Sequence, residues 1–372
     1  MEQERLAFLA LHFVPGIGSI LFKQLISYCG SASQVFKSSK AKLLKIPGIG
    51  PVNAESILTK GTFAIAEKEL AQADKENVQL LFYTDKDFPS RLKAIEDSPA
   101  ILFVKGNVNL NVAKIVGIVG TRKATAYGKS CVEKIIDDLV PHQTPIISGL
   151  AYGIDIHAHK HALKVGLPTI GILGSGMDVI YPSSHKDTAK KMMETGGLIT
   201  ENIFGTQPDA HNFPARNRII AGLCDALIVI EAAEKGGALI TAEIANTYNK
   251  DVFAVPGNLG QTYSAGCNFL IKTNKAHLFT SVKDLEYIMN WDLSTTKKLF
   301  TTSFNESNLS VEERLVVEAL RKREVPVMID QLSIESELPL GILSSLLLSL
   351  EFAGLVVSLP GKRYGLTNRS YR

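Results

Sequence analysis

The sequence predicts an α/β protein: a doubly wound parallel sheet, preceded by a helical domain and followed by a small domain of helices and a hairpin. Three observations carry that prediction. Between about residues 114 and 290, short β-branched runs alternate with helical stretches, the signature of a parallel sheet wrapped by helices. Ahead of this region a glycine turn occurs twice, from Val14 and again from Ile46, each time opening an apolar helix-like stretch. Beyond it, a stretch rich in Ser, Thr and Asn leads into three helical patterns and two short strands. A chain of 372 residues has room for about two or three domains. The boundaries fall at 1–75 for the helical domain, 76–290 for the sheet, 291–309 for a linker and 310–372 for the last domain.

In the first domain the turns read Val14-Pro15-Gly16-Ile17-Gly18 and Ile46-Pro47-Gly48-Ile49-Gly50. Two glycines separated by one apolar residue let a backbone come close to a phosphate. The exposed N–H groups of the following helix then point at it, and the helix dipole favours the negative charge. The pattern resembles the helix-hairpin-helix, a SAM-like module that grips a nucleic-acid backbone without reading its sequence. Gly16, Gly18, Gly48 and Gly50 are therefore candidates for a secondary contact with a DNA backbone. Residues 1–60 carry seven basic side chains against three acids, an excess of +4, as a phosphate-facing surface would.

Strands are expected at 115–119, 145–148, 169–173, 198–201, 226–231 and 252–255. Runs so uniformly apolar are buried on both faces. The loops leaving their C-terminal ends line one edge, where doubly wound folds bind ligands. Those loops are rich in glycine: Gly120-Thr121-Arg122, Ser148-Gly149-Leu150, Gly174-Ser175-Gly176, Gly236-Gly237 and Pro256-Gly257. In the last domain, helices at 311–320, 329–336 and 340–353 precede strands at 355–357 and 363–366, an order that suggests a winged helix. Residues 310–372 carry eight basic and eight acidic side chains, so a protein-docking or regulatory role suits this domain as well as DNA does.

Composition removes several classes. A hydrophobic share of 45% with 21% charged residues is that of a folded protein, not a disordered one. No run approaches the roughly 18 to 20 apolar residues of a membrane span. The apolar stretch 6–14 is short, follows Glu2 and Glu4, and lacks a small-residue cleavage site, so a cytoplasmic location without a membrane partner is expected. Cys29, Cys131, Cys224 and Cys267 lie far apart with no CxxC pair, which suggests neither disulfides nor zinc. A net charge of +3 is too small to make the whole molecule a polycation, so any nucleic-acid site is local.

Nucleotide and metal readings fail on spacing. Gly128-Lys129-Ser130 has the tail of a P-loop, but Lys123 stands where the first glycine is required. Gly171, Gly174 and Gly176 miss the GxGxxG spacing, and no acid follows at the distance that holds a ribose. His157, His159 and His161 do not share one helix face, and no carboxylate is placed to support a metal. No metal, cofactor or catalytic residue is expected.

The positive signal is a cluster of cations on the glycine-rich loops. Arg122 follows Gly120-Thr121 directly after a strand, beside free N–H groups at a helix start. In Phe213-Pro214-Ala215-Arg216-Asn217-Arg218, an aromatic ring precedes two arginines in the first turn of a helix. A ring that stacks on unpaired bases beside arginines that hold the backbone is the arrangement single-stranded nucleic acid calls for.

At this point the chain resembles the DprA/Smf family of DNA-processing proteins, over nearly all its length. The motifs are Val116 to Arg122 with Tyr127-Gly128, Ser148 to Asp155 with His157-Ala158, and Leu173 to Asp178 with Tyr181-Pro182. They continue with Phe213 to Leu223, and Leu239 to Ala242 with Ala254 to Gly257. Phe88 to Leu92, Pro99 to Leu102 and Lys105-Gly106 look like the extension before the family's sheet. The resemblance implies an extended Rossmann fold that binds single-stranded DNA in a positively charged pocket, without cofactor or covalent chemistry. It implies a homodimer that helps load a RecA-type recombinase during natural transformation and recombination. Carried to matching positions, Gly120, Thr121, Arg122, Phe213, Arg216, Asn217 and Arg218 would form the pocket. Gly149, Gly174, Gly176 and Gly237 would allow close approach, with Lys235 and Thr241 beside them. Thr121 stands where serine is frequent, which keeps the hydroxyl, and Lys235-Gly236-Gly237-Ala238 where Ser-Gly-Ser is expected; the departure removes that loop's hydroxyl contacts, and Lys235 is expected to compensate with a phosphate contact.

The rival reading is an enzyme. Gly236-Gly237, Thr241 and Glu243 resemble the PGGxGTxxE signature of LOG-type phosphoribohydrolases, in which glycines and threonine hold phosphate and the glutamate assists cleavage. Here the gap to the threonine is longer than that signature allows and the leading proline is absent.

Overall fold

A computed structural model describes residues 2–209, 212–291, 309–323, 326–353, 355–359 and 363–366. The chain divides into two compact units, 1–291 and 292–372. The expected linker lies almost entirely outside the described residues.

The first unit opens with six helices: α1 Glu2–His12, α2 Ser19–Cys29, α3 Ala32–Lys37, α4 Lys40–Leu43, α5 Pro51–Leu58 and α6 Phe63–Lys75. The two glycine turns adopt the same conformation. Gly16 and Gly48 sit at φ +79° and +81°, a left-handed region open mainly to glycine. Gly18 and Gly50 are extended and cap α2 and α5. The repeats face each other: a Cβ on Gly16 would meet Asn53 of α5, and one on Gly48 would meet Leu21 of α2. Asn53 Nδ2 also donates to the Pro15 carbonyl, 3.4 Å. These helices share one apolar core with the sheet that follows, and the Phe8 and Phe82 rings meet edge-on at 4.8 Å.

The sheet has nine strands: β1 Gln79–Phe82, β2 Ile101–Gly106, β3 Val116–Val119, β4 Ile146–Ser148, β5 Thr169–Ile172, β6 Gly197–Thr200, β7 Ala226–Val229, β8 Asp251–Ala254 and β9 His277–Leu278. Their order is β1-β2-β6-β5-β4-β3-β7-β8-β9. β3 to β9 pair in parallel; the apolar runs predict this for β3 to β8, while the two-residue, exposed β9 lies outside that expectation, and β3 to β7 are buried along their whole length. β1 and β2 add an antiparallel extension to β6. Seven helices connect the strands, α7 Ser90–Lys93, α8 Ala126–Leu139, α9 Ile154–Lys164, α10 Lys186–Thr195, α11 Asn212–Leu223, α12 Gly237–Thr247 and α13 Ala265–Lys272, and α14 Val282–Met289 follows β9. α8, α9 and α14 bury their apolar residues on one face of the sheet; α11, α12 and α13 cover the other. From β3 the chain steps outward through β4 and β5 to β6, then returns to β7 on the far side of β3. That reversal parts the loops after β3 and β7 and opens a crevice at their C-terminal ends.

In the second unit, helices Val311–Arg321, Ile329–Ser336 and Leu340–Phe352 pack over Val316, Leu332, Leu343, Leu347 and Val356. Strand Arg363–Leu366 lies between Val327–Met328 and Val356–Leu359, antiparallel to both, completing a winged helix. A capping box between Ser310 and Glu313 starts the first helix. Among the described residues no single helix is long and apolar enough to cross a membrane.

Candidate nucleic-acid interface

A cavity of about 310 Å³ fills the crevice. Its walls are the loop after β3 (Val119 to Arg122), the loop after β7 (Ala232 to Gly237) and one face of α11. That face carries Phe213, Arg216, Asn217 and Ile220, the i, i+3, i+4, i+7 stripe of a helix. The loop after β3 is held by its neighbours. Thr121 N donates to the Glu231 carbonyl at 2.7 Å, and Ile154 N donates to the Thr121 carbonyl at 3.1 Å. Gly153, at φ +81°, permits that second bond, because a Cβ there would fall 2.1 Å from the Thr121 carbonyl oxygen. Thr121 Oγ1 accepts from Lys123 N, 3.1 Å, and Arg122 is left exposed at the rim.

The opposite wall is the start of α12. Gly236 caps it without a side-chain bond, and Gly236, Gly237 and Ala238 all line the cavity. Backbone N–H groups and the positive end of the helix dipole therefore face the same space as Arg122 and Lys235. Lys235 is exposed and has no partner among the described residues. The Thr241 hydroxyl donates to the Gly237 carbonyl at 2.9 Å, and Asn217 Nδ2 donates to the same carbonyl at 3.4 Å. Both brace the helix start. Asp155 is the one carboxylate among the described lining residues, and it is committed: its Oδ2 accepts from Gly149 N at 3.1 Å. Burial pushes its pKa up, with Arg216 opposing.

Arg216 is buried. Its Nη1 donates to the carbonyls of Gly149 and of Ile172 (the latter at 2.5 Å), and its Nε donates to Asn217 Oδ1 at 3.1 Å. It ties α11 to the ends of β4 and β5, and burial lowers its pKa to about 10 while Asp155 supports the charge. A Cβ on Gly149 would fall on this guanidinium. The Phe213 ring lies 5.2 Å from Arg122 Cζ and 6.0 Å from Arg216 Cζ, and a Cβ on Gly174 would touch it at 3.1 Å. Phe213 thus divides the cavity from a smaller hollow bordered by Gly149, Tyr152, Gly174 and Tyr181.

Two expected site residues stand elsewhere. Arg218 is two residues beyond Arg216, about 200° around the helix. Its guanidinium donates to Glu201 and to the Asp97 carbonyl and does not line the cavity. Glu201 is raised by burial and held down by Arg218. Gly176 packs against the loop 203–205, where a Cβ would meet the Ile203 carbonyl. None of Gly16, Gly18, Gly48 and Gly50 lines the cavity. His157 and His161 bond Glu133 and Asp137 across the α8–α9 pair at 3.0 and 2.8 Å, while His159 is buried against Thr169. Among the described residues no group of three or more ligating side chains is gathered for a metal. Glu243, which a phosphoribohydrolase would need at the cavity, sits about 200° around α12 from Thr241. It pairs with Lys275 at 2.8 Å instead.

The residues missed from sequence are Tyr152 and Tyr181, 49% and 46% exposed beside Arg122 and Phe213. Tyr152 was legible as an aromatic placed directly before the glycine that opens a helix.

Comparison with known proteins follows this architecture. A family model for DNA recombination-mediator protein A matches residues 79–290, one for a DprA winged-helix domain matches 301–362, and one for a SAM-like helix-hairpin-helix tandem matches 8–60 and 40–81. Protein Smf of Synechocystis is 33% identical across 98% of this chain and 99% of its own length. DNA processing protein DprA of Streptococcus pneumoniae is 43% identical over 54% of this chain and 71% of its own. The X-ray structure of that DprA superposes with a TM-score of 0.67 at 34% identity, covering 76% of this chain and 96% of the other. DNA processing protein A of Helicobacter pylori, described for its single-stranded DNA binding mode, gives 0.52 at 28% identity over 58% and 98%.

Proposed function

The chain belongs to the DNA recombination-mediator protein A family, the DprA/Smf proteins, and on that premise we propose that it binds single-stranded DNA in the crevice beside β3. The observation that carries this reading is the convergence of two cations without acidic partners among the described residues, Arg122 and Lys235, with the uncapped start of α12 on one cavity. Phosphates bind the cations and the helix N–H groups, a contribution that weakens with salt. Unpaired bases stack on exposed rings, which a duplex cannot offer. The chain does this without covalent chemistry and without a cofactor: the one lining carboxylate, Asp155, is already bonded and stands beside Arg216.

The finer role follows the family resemblance. The protein acts in the cytoplasm as a homodimer, shields incoming or recombining single strands and delivers them to a RecA-type recombinase. Two aligned crevices would raise apparent affinity through effective concentration. The test is binding of oligothymidine and of a matched duplex across a salt series, with the full chain and with Arg122→Ala. Preference for the single strand, lost with Arg122, supports the reading. Tight binding indifferent to strandedness and to Arg122 refutes it.

A further inference from the structure

The crevice is not the end of the basic surface. On the outer side of Arg122, between the N-terminal turns of α8 and α9, lies an open groove of about 390 Å³. Arg122, Lys123, Lys129 and Lys160 line it together with Tyr152 and His157, and no carboxylate does. The ammonium groups of Lys123, Lys129 and Lys160 have no hydrogen-bond or ion-pair partner among the described residues. Of the acids on these helices, Asp137 is paired with His161, Asp155 accepts from Gly149 N, and Glu133 is paired with His157 at the groove's edge. Tyr152 borders both this groove and the hollow beside Phe213. Its ring is held edge-on by His185 at 5.0 Å, and His185 Nδ1 is itself bonded to the Leu150 carbonyl at 2.8 Å.

We propose that this groove is an outer track for the same single strand: Arg122 hands it out of the crevice, Lys123, Lys129 and Lys160 take its phosphates, and Tyr152 stacks one base. The proposal rests on the crevice being a single-strand site and extends it to a longer footprint with a defined exit. Charge complementarity and continuity through Arg122 name the occupant. An exposed ring flanked by cations fits unpaired bases on a charged backbone, and a duplex has no free base face for it. The cations of the track are spread over the loop after β3 (Arg122, Lys123), α8 (Lys129) and α9 (Lys160), so they act in sequence along a chain and not together on one small anion.

The experiment uses the full chain and oligothymidines of increasing length. Affinity should keep rising beyond the shortest length that binds. In the triple variant Lys123→Ala/Lys129→Ala/Lys160→Ala that later gain should vanish, with the shortest oligonucleotide bound as before. Its salt slope on a long strand should be shallower by about 2, from three lost phosphate contacts. Tyr152→Leu should weaken long-strand binding about tenfold with an unchanged salt slope. A triple variant with the parent's length profile and salt slope overturns the track. So does a triple variant that loses binding of polyglutamate but not of oligothymidine, which would assign the groove to an acidic protein segment. Arg122→Ala with the shortest oligonucleotide tests the crevice separately: lost affinity there keeps the crevice even if the track falls, and unchanged affinity removes the crevice whatever the lysines do.

Discussion

The sheet crevice and the tandem hairpins use the same parts, glycine turns at helix starts with lysine and arginine nearby, and they use them differently. In the hairpins the left-handed glycines are where one repeat meets the other, and several cations are tied to the protein itself. Arg5 donates to Asp85 and the Leu80 carbonyl, Lys23 to the Glu96 carbonyl, and Lys40 to Glu55. In the crevice, Gly236 has nothing within 4 Å of a would-be Cβ, and Arg122 and Lys235 lack acidic partners among the described residues. A glycine-rich turn beside a basic count marks a phosphate site only when the charges are left unspent. The same distinction operates within α11, where the buried Arg216 spends its donors on carbonyls and acts as a strut.

That contrast can be broken or sharpened by measurement. The largest effect belongs to the strut: Arg216→Met should lower unfolding free energy by about 3 to 5 kcal/mol, since it strands the buried Asp155. Trp291, the sole tryptophan and buried in the first unit, reports that unfolding by fluorescence. Arg122→Ala should cost about 2 kcal/mol of single-strand affinity, a charged hydrogen bond's worth, with little change in melting. Next comes Gly48→Ala, which should lose about 1 to 2 kcal/mol of stability through its left-handed backbone. Gly18→Ala, at φ −79° with open space around it, should melt as the parent does. Its oligonucleotide affinity should fall by less than that of Arg122→Ala, and a larger fall would make the hairpins the main site.

Acidity gives another. Burial holds His159 neutral, with its pKa lowered from 6.5 to about 3. The unfolded chain therefore binds the extra proton first. The His159 contribution is fully present above about pH 6.5 and is lost as pH falls toward 3, at about 1.4 kcal/mol per pH unit. The Trp291 melting curve should shift down on acidification, and His159→Gln should flatten the shift. The winged-helix unit contains no histidine and should lack this dependence. The smallest effect is on binding by Arg218→Lys, which should leave oligothymidine affinity unchanged because the side chain faces Glu201.

Much of this was legible in the sequence, for reasons that mark the limit of such reading. Six of the seven parallel strands announced themselves because burial on both faces forces uninterrupted β-branched runs; the short, exposed β9 did not. β2 opens on the apolar run Ile101-Leu102-Phe103-Val104, as the parallel strands do, yet it runs antiparallel, and pairing direction leaves no trace in a strand's composition. The hairpin repeat was plain because glycine is required twice at the same backbone angle. The α11 motif placed Phe213 and Arg216 at the crevice. Arg218 was misplaced because two arginines two residues apart point to opposite sides of a helix, a matter of angle and not of motif. The partners that consume Arg216 and Glu243 come from segments far along the chain, at Gly149, Ile172 and Lys275, and only the fold brings them there.

The bond from Ile154 N to the Thr121 carbonyl, made possible by Gly153, has a kinetic side. With the loop after β3 already fastened to the start of α9, little of the crevice wall has to be ordered when a strand arrives. Encounter is then governed by diffusion in the field of the unpaired cations, so the association rate should climb steeply as ionic strength falls. Dissociation, set by short-range contacts, should vary far less.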